Sequence, residues 1–196
     1  MTRPKDLHPE QLRALAYARK RGTMAPLAAI RARVAGTYAE LEALVEGLAP
    51  EVARAHRPTS AWSVQEVVDH LVESERPAAR QLASLLAGEE VEQPIPASLQ
   101  SADPLGLDWG TLVHDFRTVH ENLLDLLAGA SDDVPLTATA PVEMVVKCED
   151  ADGVLRPVTW IERFDWKAFS ILLHAHNREH IGQVHRILEG ASTAPD

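Results

Sequence analysis

A single cysteine, Cys148, stands among 196 residues, so the chain cannot close an internal disulfide. Basic residues are scarce as well: 19 Lys and Arg face 29 Asp and Glu, a formal charge of −10. That balance argues against a nucleic-acid or anionic-membrane partner, because both need clustered Lys and Arg opposite phosphate. Long apolar runs are missing. No stretch approaches the length of a membrane span, and the opening MTRPKDLHPEQLRALAYARKRG has no apolar centre of signal-peptide length. The expectation is a cytoplasmic protein whose partners are small molecules or another protein. Aromatic residues make up only 5% of the chain, yet 45% of it is hydrophobic, enough for one domain with its own core.

Between Met24 and Leu48 the residues Leu27, Ile30, Val34, Leu41, Leu44, Val45 and Leu48 recur every three or four positions, the spacing of one helix face. In TSAWSVQEVVDHLVESE, Ser63 and Glu66 form an S-x-x-E capping box, and Trp62 and Val67 can close a hydrophobic staple around it. This predicts a second helix over 64–86, ending before Gly88. Asp108 can cap a third, whose stripe is Trp109, Leu112, Val113, Phe116, His120, Leu123 and Leu127 and which ends near Gly129. A fourth is predicted from Asp165 to Leu188, with Gly190 placed to stop it.

The stretch before that last helix has a different texture. VEMVVKCE and VLRPVTWI are rich in β-branched residues and flank DADG, whose Asp152-Gly153 pair suits a tight hairpin turn, although Pro157 weakens the second strand. The linker EEVEQPIPASLQSADPLG carries three prolines and reads as a loop. The predicted architecture is mainly α, a four-helix bundle over 24–190 with an insertion at 131–163 that holds a small β-hairpin before the last helix. Residues 1–23 form an N-terminal extension with a short helix after Pro9, and 191–196 a tail.

HAHNREHIGQVHRIL, residues 174–188, holds four of the nine histidines. At roughly 100° per residue, His176, His180 and Gln183 share the core-facing stripe of Phe169, Leu173, Val184 and Ile187, whereas His174 and His185 fall on the opposite side. His176 and His180, four apart, stack two imidazoles on one face, where both can reach one cation. A buried, hydrogen-bonded histidine pair has the same spacing. A third ligand must come from another helix. His70 lies mid-helix in the second, but roughly 120° from the centre of its apolar stripe, so an exposed or edge histidine is an equal reading. His120 is the alternative, squarely on the third helix's stripe, where a hydrogen-bonded core histidine is the competing account. His114 points away, and His8 and His56 lie in poorly patterned segments.

Residues 176–180, HNREH, match the H-x-x-E-H pattern of inverted zinc proteases. Those enzymes take a further acidic ligand well downstream, and only sixteen residues follow His180, so the match is accidental. Glu179 is then a surface carboxylate, with service as a general base as its functional alternative.

AWSVQEVVDHL, followed about a hundred residues later by HNREHIGQV, resembles the DinB/YfiT-like superfamily of metalloenzymes, which are four-helix bundles. The resemblance implies a divalent metal, nickel or zinc, held by a histidine of the second helix and an H-x3-H pair of the fourth. Position by position these are His70, His176 and His180, with Gln183 matching a glutamine often found three residues after the pair. It further implies a low-molecular-weight thiol as cosubstrate. The superfamily's name refers to DNA damage, but the acidic composition gives DNA binding no support.

Three neutral imidazoles leave coordination positions open, the mark of a catalytic rather than a closed structural site. The expectation is a metal-dependent thiol transferase or hydrolase acting on a small molecule. The competing expectation is a non-enzymatic dimer in which a metal ties two helices or serves regulation; Ile171, Ile181 and Leu188, off the main stripe, make a homodimer face plausible. Trp160 and Trp166 are the expected substrate contacts, and Trp62 and Trp109 the expected core residues.

Overall fold

The computed structural model describes residues 7–57, 60–150 and 152–192. Six helices and one hairpin follow in the order α1 (Pro9–Ala18), α2 (Leu27–Val45), α3 (Pro50–Arg54), α4 (Val64–Leu86), α5 (Trp109–Gly129), β1 (Ala140–Glu149), β2 (Leu155–Phe164) and α6 (Trp166–Ser192). Four of the helices form the bundle. α4 packs on α5 and α6, and α2 packs on the same two from the other side. The predicted stripes face inward: Ile30, Val34 and Leu41 of α2 meet Leu71 and Leu82 of α4, Phe116 and Leu123 of α5 and Val184 and Ile187 of α6 in one apolar core. No helix among the described residues is long and apolar enough to cross a membrane.

Helix starts are set by short polar side chains. Ser63 accepts from the amide of Glu66 while Glu66 Oε2 accepts from the amide of Ser63 at 2.8 Å, the reciprocal box that fixes the first turn of α4. Asp108 accepts from Thr111 N at 2.8 Å at the start of α5, and Asp165 accepts from the amides of Lys167 and Ala168 at the start of α6. Gly88, at φ +80°, ends α4 in the left-handed conformation that glycine adopts without strain. Gly190 does not stop α6, which continues to Ser192.

The extension contributes α1, capped by His8, and then a π-helical turn at Arg19–Thr23 that lies against α6. Contact there is so close that a Cβ on Gly22 would meet Ala168 Cα at 2.5 Å. Residues 1–6 of the extension and 193–196 of the tail lie outside the described residues.

The hairpin forms, longer than its sequence pattern, with Ala140 opposite Phe164 and Glu149 opposite Leu155. Its turn is not the tight two-residue kind. The loop from Asp150 to Val154 is organised by Asp150, whose carboxylate accepts from Asp152 N and Val154 N at 3.0 Å each, and Gly153 takes φ +76°. Pro157 fits because each strand of a two-stranded sheet has one unpaired edge. Met144 and Phe164 pack with Ala18 and Ala168, fastening the hairpin to α1 and α6. The proline-rich linker is ordered by α4: Ser101 N donates to Asp69 Oδ2 at 2.9 Å and Gln100 Nε2 to Glu66 O at 3.0 Å.

Candidate metal centre

His70 of α4 and His176 and His180 of α6 meet on one side of the bundle core. One ring nitrogen of each lies within 4.8 Å of the other two, and among the described residues these three form such a cluster. His70 is 1% exposed, not an edge residue. Periodicity could not show this. α5 and α6 cover two faces of α4, and the linker covers a third, so Asp69, His70, Ser74 and Glu75 are all buried off the apolar stripe.

Hydrogen bonds orient the rings. Leu99 O, on the linker, accepts from His70 Nδ1 at 2.8 Å, and Gln183 Oε1 accepts from His180 Nδ1 at 2.9 Å. Both Nε2 atoms are thereby left as lone pairs, each 3.1 Å from His176 Nε2. A proton on His176 could satisfy one of them, never both. A cation between the three nitrogens satisfies all, and three neutral imidazoles are a donor set that suits zinc or nickel. Electrostatics agree. Burial pushes His70 below the usual imidazole range; His176 is held well below it by burial and by the rings of His180 and His70; and His180 is lowered to about 4 by burial and by His70. All three are uncharged at neutral pH, the form that binds metal.

The remaining histidines are elsewhere. His120 is buried in the core, stacked on Tyr38 with ring centroids 3.8 Å apart, and its Nδ1 lies 2.8 Å from Glu42 Oε1. It belongs to a hydrogen-bonded network and stands outside the three-histidine cluster. His174 pairs with Thr37 Oγ1 at 2.6 Å, His185 and His114 are exposed, His56 lies 3.4 Å from Glu66, and His8 caps α1.

Sequence reasoning missed Glu75. Its carboxyl is fully buried, accepts a hydrogen bond from Asn177 Nδ2, and lies 3.5 Å from His120 Nε2 with the Tyr38 hydroxyl facing it. Burial raises both the Glu75 carboxyl and, well above its ordinary value, the Tyr38 hydroxyl. Position 75 in VESERP looks like a surface charge, and nothing in the pattern marks it as interior.

Beside the histidines opens a cavity of about 400 Å³, bounded by α4, α6, the linker and β1. Trp62 lines it, with its ring 5.2 Å from that of His70 and 6.3 Å from that of His180. Trp109 is in the core as expected, and the other three tryptophans differ from expectation. Trp62 is at the site, Trp166 is buried in the core, and Trp160 packs on the hairpin without lining the cavity. Glu179 is exposed at the cavity wall.

The sequence profile of the DinB superfamily matches residues 33–184. The chain belongs to the DinB superfamily. No curated protein matches it. YfiT from Bacillus subtilis, a probable metal-dependent hydrolase with an unusual four-helix bundle topology, superposes with a TM-score of 0.59 at 15% identity, over 99% of this chain and 95% of YfiT. A mycothiol-dependent maleylpyruvate isomerase gives 0.59 at 12% identity, over 83% of this chain; the match spans 62% of the isomerase. An uncharacterised protein from Escherichia coli UTI89 gives 0.57 at 15% identity, over 87% and 96% of the two chains. These likenesses establish the shared fold of this DinB chain.

Proposed function

We propose that this protein is a divalent-metal-dependent enzyme, a thiol-dependent S-transferase or hydrolase of a small molecule. One observation carries the reading: three imidazole lone pairs converge at the wall of a cavity large enough for a ligand. YfiT, described as a probable metal-dependent hydrolase, and the mycothiol-dependent isomerase, both of this fold, support the metal and the thiol.

In this reading His70, His176 and His180 hold the cation, nickel or zinc, while Leu99 O and Gln183 keep the imidazole protons on Nδ1. Such a cation lowers the pKa of a thiol or water at its open positions and polarises a carbonyl. The chain's own residues do the rest. Trp62 and the hairpin residues Val142 and Met144 exclude bulk water from the cavity, and Glu179 at its wall is placed to accept a proton.

The test is elemental analysis of tag-free protein beside His70→Ala, His176→Ala, His180→Ala and the control His174→Ala. Near-stoichiometric metal in wild type and control, lost in the other three, supports the site and opens a screen of thiols with electrophilic substrates. Metal-free wild type after reconstitution with nickel or zinc, or metal retained by His70→Ala, overturns it.

A further inference from the structure

The walls of the cavity are chemically one-sided. Trp62, Ile95, Val142, Met144, Phe169 and Leu172 make most of its surface apolar. Its ionisable side chains, apart from the histidines, are all carboxyls: Glu75 from α4, Glu143 from β1 and Glu179 from α6. Neither lysine nor arginine is among the described residues that line it. Nearby cations are directed elsewhere: Arg163 of β2 bonds Glu90, Thr139 and Val91 O, and Arg178 of α6 bonds Glu40.

Glu143 is the informative member. It is half-buried, on the wall that the hairpin adds to the bundle, and its Oε2 accepts from Ala97 N at 3.0 Å. That bond ties the hairpin to the linker and fixes a carboxylate across the cavity from α6. Glu179, one residue before His180, supplies a second carboxylate at the exposed wall. Away from the histidines, an anionic group moved from water into this space loses hydration and meets carboxylates with no lysine or arginine on the lining to pair with, whereas an ammonium or a neutral polar group meets acceptors.

We propose that the cavity takes an apolar substrate whose groups beyond the histidines are neutral or cationic, and that Glu143 and Glu179 reject one carrying a carboxylate or phosphate there. This rests on the cavity being the substrate site of the proposed enzyme. It assigns specificity to the hairpin insertion as well as to the bundle.

The charge preference is measurable without metal, which separates it from the metal-site reading. Full-length protein stripped by a chelator is titrated calorimetrically at neutral pH with three probes sharing one frame: phenethylamine, phenethyl alcohol and hydrocinnamate. Metal content of reconstituted protein is determined separately. Phenethylamine and the alcohol are expected to bind at least about tenfold more tightly than hydrocinnamate, equivalent to about 1.4 kcal/mol. In Glu143→Gln/Glu179→Gln the advantage of the alcohol over hydrocinnamate disappears. If the double variant does not fold, Glu179→Gln alone, on the exposed wall, is expected to reduce that advantage. Hydrocinnamate binding as tightly as the amine, an unchanged order in the folded variants, or no binding of any probe overturns the proposal, whatever the metal content.

Discussion

Asn177 donates from Nδ2 to the buried carboxyl of Glu75 and also to Leu173 O, one turn back on its own helix. This places a hydrogen bond between α4 and α6 five residues after His70 and one after His176. The bond sets the rotation of each ligand-bearing helix relative to the other. Convergence of three Nε2 atoms depends on that rotation, because an imidazole reaches only a few ångströms from its helix.

Removing Glu75 therefore acts at two levels. Glu75→Ala is expected to destabilise the protein by about 3 kcal/mol, since it removes from the core the acceptor of Asn177 Nδ2 and the carboxyl that faces His120 Nε2 and the Tyr38 hydroxyl. Glu75→Gln, which retains an acceptor for Asn177, should cost about 1 kcal/mol. Urea unfolding measures both, and equal costs would refute the role of the Asn177 bond.

Acid should weaken the metal-free fold before it reaches the carboxylates. His180 is lowered to about 4 in the folded chain, against about 6.5 when unfolded. The unfolded state binds the proton first, so this contribution to stability is complete above pH ~6.5 and is lost as pH falls from there toward 4. His70 and His176, shifted the same way, add to the loss. Denaturant midpoints of chelated wild type and His180→Gln across this window check it: the slope with pH should be shallower in the variant.

Gln183 meets the histidines through His180 Nδ1 and donates from Nε2 to Ser60 Oγ. Gln183→Leu frees that ring to turn and lets its proton move to Nε2, and metal affinity should fall about tenfold or more. Competition with a chromogenic chelator measures this, while an unchanged far-ultraviolet circular dichroism spectrum shows that the helix is intact.

Metal removal should leave the bundle folded. Its core is built from the stripes of α2, α4, α5 and α6, and the histidines lie to one side of it. The chelated protein is expected to unfold cooperatively at a lower Tm. Loss of helix on chelation would instead mark a structural site.

Gly22→Ala should be costly despite its conservative appearance, because its Cβ would meet the Ala168 backbone at 2.5 Å. Separating α6 from the turn that follows α1 costs about 1–3 kcal/mol. Thermal unfolding beside Gly36→Ala, where a Cβ meets nothing within 4 Å, isolates the effect.

Local chemistry and periodicity were enough to make the elements legible. Ser63, Glu66 and Asp108 mark helix starts because their oxygens satisfy amides only a few residues away, and alternating β-branched residues mark the hairpin because strands repeat every two residues. The pairing of His176 with His180 was visible for the same reason, since four residues on a helix return to one face. What lies across the core was not. By periodicity His70 was as much an edge residue as a ligand until the linker closed over α4, Trp62 looked like part of a staple, and nothing in the pattern marked Glu75 as interior. Burial of these residues depends on partners 29 to 106 positions away, Leu99 O and His176 for His70 and Asn177 for Glu75. A repeat within one helix carries no information about such partners. The sequence alone determined where the four bundle helices form and which apolar stripe each turns to the core. Tertiary packing decided which histidines meet, because that depends on the relative rotation and covering of helices distant in the chain.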